Sequence, residues 1–84
     1  MGTDSDPPMT EEQRLAWFEG QAEAAYDKMY DARHSTNAAA LYSDAKEALY
    51  EAIGLARRLG QDAVASRLEA RLAHIKAVFR SQFS

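Results

Sequence analysis

Residues 43–60 read SDAKEALYEAIGLARRLG, and this stretch settles the fold class. Together with the tyrosine just before it, the apolar positions Tyr42, Ala45, Leu49, Ala52, Ala56 and Leu59 step by three and four. A helix turns once in about 3.6 residues, so these positions fall on one face, whereas a strand would need strict alternation. The segment also carries its own stop. Arg57 and Arg58 suit the negative end of a helix dipole, and Gly60 supplies the left-handed residue that commonly follows a helix end. Its start is open between two readings, Ala38 after an Asn37 cap or Asp44 after a Ser43 cap. The three alanines at 38–40 favour the earlier start through their high helix propensity.

The same period recurs on either side. Leu15, Phe18, Ala22, Ala25 and Met29 form a stripe before it, and Ala65, Leu68, Leu72, Ile75 and Phe79 form one after it. The first helix opens on a capping box, in which Thr10 accepts from the N–H of Gln13 while Gln13 reaches back, with Glu11 and Glu12 at the positive end of the dipole. It runs to about Arg33, with residues 34–37 as the turn and Gly20 inside it, either tolerated or marking a close backbone approach. Asp62 is the expected cap of the third helix, which continues to about Gln82. The spacing therefore predicts helices over about 10–33, 38–59 and 62–82. The connections are short enough to force antiparallel neighbours, which gives an all-α, up-down-up three-helix bundle. Alanines at 22, 25, 45, 48, 52 and 56 line the seams and let helix axes approach closely, while larger side chains fill the rest.

Residues 1–9 read as a disordered acidic leader, since Pro7 and Pro8 forbid regular helix and nothing there is apolar enough to bury. Residues 10–84 then make a single helical domain. At 84 residues the chain sits near the lower size limit for one hydrophobic core, so partnering is a natural expectation. It has no cysteine, which excludes disulfides and thiolate zinc sites. The N-terminus lacks the pattern of a signal peptide, and no apolar run approaches the ~20 residues of a membrane span. A soluble, cytoplasmic protein is expected.

Charge is distributed unevenly. Residues 1–53 hold eleven acids against four bases, a net of −7, and residues 54–84 hold six bases against two acids, a net of +4. An acidic first helix beside a basic third helix gains a modest favourable field. The same dipole could instead steer one molecule onto another.

Ala45-x3-Leu49-x2-Ala52, preceded by Tyr42 and followed by Ala56-Arg57-Arg58-Leu59-Gly60, resembles the second helix and close of a tetratricopeptide repeat. The resemblance covers about residues 29–80. It implies a helical hairpin and, functionally, an adaptor whose groove accepts a peptide.

The chemistry-bearing residues form no catalytic pattern. His34 falls in a turn and His74 on the third helix, with no carboxylate or second histidine at ligand spacing. Glu19 with Glu23 and Asp27 with Asp31 stand one turn apart, but the Glu-x-x-His that di-metal bundles draw from partner helices is missing, so a solvated face is expected. The serines lack a glycine elbow. No catalytic residue, cofactor, metal or small-molecule substrate is implied.

What remains is surface. Trp17 is one position off the first stripe, Tyr26 and Tyr30 lie one turn apart, Tyr50 falls off the second stripe, and Phe83 stands near the C-terminus. Such aromatics either widen the core or form an interface. The expected function is a non-catalytic protein-interaction module that associates with itself as a homodimer. Its anchors are Trp17, Tyr26, Tyr30, Tyr50 and Phe83, with Arg67 and Arg71 setting orientation. A peptide-binding adaptor is one alternative. A nucleic-acid-binding accessory using Arg67, Arg71, Lys76 and Arg80 is another, against which stands the acidic sum of the domain.

Overall fold

The computed structural model describes residues 9–31 and 37–83. They form three helices, α1 (Glu11–Asp31), α2 (Ala38–Arg58) and α3 (Asp62–Phe83), with no strand among the described residues. The all-α three-helix bundle expected from the three stripes is the observed architecture. The acidic leader, apart from the exposed Met9, lies outside the described residues, as do the end expected for the first helix and all of its turn except Asn37.

The helix ends follow from local chemistry. The capping box forms as expected, with the Gln13 N–H donating to Thr10 Oγ1 at 3.1 Å and the Thr10 N–H donating to Gln13 Oε1 at 2.9 Å. Helix α2 takes the earlier of its two possible starts, at Ala38. The Asn37 side chain does not cap it: Asn37 lies in the right-handed helical region (φ −79, ψ −11) and makes no side-chain capping hydrogen bond. A side-chain cap is normally presented from an extended backbone. The other end of α2 closes as a Schellman turn. Gly60 sits at φ +73, its N–H donates to the Arg57 carbonyl at 3.1 Å, and the Gln61 N–H donates to the Ala56 carbonyl at 2.8 Å. This closure brings α3 on at once. The Ala65 N–H donates to the Gln61 carbonyl at 3.0 Å, so Gln61 holds the cap position and Asp62, expected as the cap, is the first helical residue, where its charge still meets the positive end of the dipole.

Helix α2 is central, with α1 packed on one flank and α3 on the other. Direction is fixed by side-chain pairs. Glu11 at the start of α1 reaches Arg58 at the end of α2, so those helices are antiparallel. Arg57 pairs with Glu69 and Tyr50 with Lys76, which makes α2 and α3 antiparallel as well. Between α1 and α3 the partners Glu19 with Arg67 and Glu23 with Arg71 keep a constant separation of 48 residues, and Tyr26 with His74 keeps the same step. The outer helices therefore run parallel.

The core is built on the three stripes. Leu15, Leu49, Leu68, Leu72 and Ile75 form its large side chains together with Ile53 and Leu55, which lie off the α2 stripe, and Ala22, Ala48, Ala52, Ala56 and Ala65 fill the seams between them. No polar side chain is buried among the described residues. On the α2–α3 side the Tyr42 and Phe79 rings lie face to face, 3.9 Å apart and within 2° of parallel, with the Lys46 ammonium 4.5 Å from the Tyr42 ring centre. Gly20 marks no close approach: a methyl group built there meets nothing within 4 Å.

Candidate interaction surface

Two helices, α1 and α2, build one exposed aromatic surface. Trp17 and Phe18 of α1 and Tyr50 of α2 line one depression of about 390 Å³, floored by Ala48 and edged by Asp44, Glu47 and Glu51. Trp17 is 51% and Tyr50 53% exposed. The one-position offset of Trp17 from its stripe explains its place, since a step of about 100° carries the indole off the buried face. Its ring leans edge-on against Phe18 at 5.1 Å, leaving the opposite side to water. Tyr50 is held from behind by Lys76, whose Nζ donates to the phenol oxygen at 3.2 Å and lies 5.7 Å from the ring centre.

Tyr26 and Tyr30 form a separate patch, between α1 and α3. Their rings are 6.3 Å apart, and they share a shallow hollow with His74 and Val78. Tyr26 is half-buried beneath the Arg71 guanidinium, 4.8 Å from its ring centre, while Tyr30 is exposed.

Beside Tyr26, Arg67 and Arg71 cross from α3 to α1. Arg67 pairs with Glu19 at 3.1 Å, and Arg71 holds Glu23 through two hydrogen bonds, Nε to Oε2 at 2.8 Å and Nη2 to Oε1 at 2.7 Å. These bridges span a furrow whose floor includes Leu49 and Leu68. The hydrogen bond from Arg71 holds the Glu23 carboxyl below its ordinary value of 4.5. Burial opposes this, and the charges of Arg71 and His74 add to it. The same hydrogen bond raises the Arg71 guanidinium.

The structure thus brings Trp17 and Tyr50 together and Tyr26 and Tyr30 together, but places the two pairs apart. Arg67 and Arg71, expected to orient a partner, meet acids of their own chain. Glu19 and Glu23, expected to lie on a solvated face, are the acids they meet. The side chain of Phe83 lies outside the described residues, as does His34. A second pattern on α2 falls outside the apolar stripes: Asp44, Glu47 and Glu51 step by three and four beside Tyr50, a row of acids legible from their spacing alone.

Among the described residues no three histidine, aspartate or glutamate side chains converge on a point that could hold a metal. No helix among the described residues is long and apolar enough to cross a membrane. Comparison with known protein families, with curated proteins and with solved structures finds no match to this chain.

Proposed function

We propose that this chain is a non-catalytic protein-interaction module whose contact surface is the α1–α2 face around Trp17 and Tyr50. One observation carries the reading: in a bundle that buries both of its isoleucines and most of its leucines, two of its largest rings stand half in water on the rim of one depression. Half-exposed tryptophan and tyrosine are the side chains that most often anchor interfaces, because they bring large apolar area with little conformational freedom to lose. Size supports the same reading, since a domain this small gains stability from any partner that covers such area.

A second copy of the chain is one such partner. The tetratricopeptide-like groove is less favoured as a seat, because the furrow between α1 and α3 is already crossed by the Glu19–Arg67 and Glu23–Arg71 bridges.

Photocrosslinking tests the proposal whatever the partner is. A photoreactive phenylalanine at position 17 or 50 is expected to give discrete adducts in the native cell, while the same group at the exposed Ala63 or Ala73 of α3 gives none. An adduct of twice the 9.3 kDa chain mass identifies the homodimer. Equal adducts from all four positions, or none from 17 and 50, contradict the reading.

A further inference from the structure

The chemistry around the depression narrows its occupant, on the reading that the Trp17–Tyr50 face is a contact surface. Asp44, Glu47 and Glu51 lie along one edge of it on successive turns of α2. Four arginines of the chain are committed elsewhere, to Glu11, Glu19, Glu23 and Glu69, and Lys46 and Lys76 lie against Tyr42 and Tyr50. Arg14 lies 6.0 Å from the Phe18 ring centre at one end, and Lys28 shares a neighbouring hollow with Asp44. Among the described residues that line the depression, three are acids and none is a base. Two copies meeting through this same face would gather both acidic rows into one contact, a build-up of like charge that a basic partner avoids.

We infer that the depression takes a basic amphipathic helix of another protein, with arginines at three- and four-residue spacing that meet Asp44, Glu47 and Glu51 and stack on Trp17 and Tyr50. Such a helix matches the axial repeat of the acidic row, because both follow the same helical turn. Arginine suits the site better than lysine, since its planar guanidinium can bond a carboxylate through its edge while its face lies on an aromatic ring.

The probe is a synthetic amphipathic peptide with arginine at those positions, compared with versions carrying glutamine or glutamate in their place. Each is titrated into the full chain, followed by the fluorescence of Trp17, the only tryptophan, and by amide shifts along α2. The arginine peptide is expected to perturb Trp17 and residues 44–51. Its affinity should fall roughly tenfold, equivalent to about 1.4 kcal/mol, in the chain with Asp44→Asn, Glu47→Gln and Glu51→Gln, and should weaken with salt. Helix content by circular dichroism checks that the variant folds, and Trp17→Phe, read by amide shifts, gives an independent variant. Tighter binding of the glutamate or glutamine peptide, or shifts mapping to the α1–α3 furrow, overturns the basic-helix inference and leaves the contact-surface reading standing. If no peptide perturbs Trp17, the basic-helix inference falls. The photocrosslinking result then decides the broader reading separately.

Discussion

Arg71 of α3 grips Glu23 of α1 through two hydrogen bonds of 2.8 and 2.7 Å, joining helices whose backbones pack mainly on α2 between them. The pairing turns the charge asymmetry of the sequence into tertiary structure. Both side chains are a third or more exposed, at 34% and 48%, so water screens the pair and its coupling should be no more than about 1 kcal/mol. A double-mutant cycle with Glu23→Gln and Arg71→Met in urea denaturation measures it.

The same pair predicts a pH dependence of defined sign. Glu23 titrates below its ordinary value of 4.5 in the folded chain, so its contribution is complete above that pH and is lost as pH falls below it through the folded value. Between pH 6 and about 3, wild type should lose more stability than Glu23→Gln. Parallel loss in both chains contradicts the pairing.

Exposed glycines inside helices offer a second test. Methyl groups at Gly20 and Gly54 meet nothing within 4 Å, so Gly20→Ala and Gly54→Ala should each stabilise the chain by about 0.5–1 kcal/mol. Gly60→Ala should destabilise by roughly 1 kcal/mol, because φ +73 at the end of α2 strains any side-chain-bearing residue. Thermal melts of the three variants give the signs directly.

In the core, Ile75 is fully buried. Ile75→Ala should cost about 2–5 kcal/mol, a large part of the stability of any small domain, whereas Ile75→Val should cost about 0.5–1.5 kcal/mol. Cooperative unfolding by circular dichroism reads both.

The Tyr42–Phe79 stack fastens the end of α3 to the beginning of α2. Tyr42→Leu keeps apolar bulk but removes the ring, and should cost about 0.5–1.5 kcal/mol of aromatic pairing. Amide exchange in the last turns of α3 should then accelerate more than exchange at Leu68. Uniform acceleration along α3 would show that the stack does not fasten that end locally.

The helices were legible because each buries a stripe with an unbroken period, and period survives whatever the tertiary arrangement. The ends were less so. Asn37 and Asp62 are both good capping residues by type, yet their roles depended on backbone geometry that a Schellman turn or a helical φ decides. The surface divided in the same way. The exposure of Trp17 and Tyr50 follows from a one-position offset, readable along each helix alone. Their meeting at one depression depends on how α1 lies against α2. The destinations of Arg67 and Arg71 likewise needed the constant register between α1 and α3, and individual ion pairs leave no mark in a sequence beyond the charge balance that allows them.

The proposed role of the surface rests on Trp17 standing in water in the lone chain and being covered by whatever the chain binds. Quenching of its fluorescence by a neutral solute, recorded alongside sedimentation mass across a dilution series, probes this without intermediate steps. At dilutions where the mass is 9.3 kDa, quenching well above that of a buried indole is expected, with protection on adding the arginine peptide. A tryptophan already shielded in the 9.3 kDa species would contradict it.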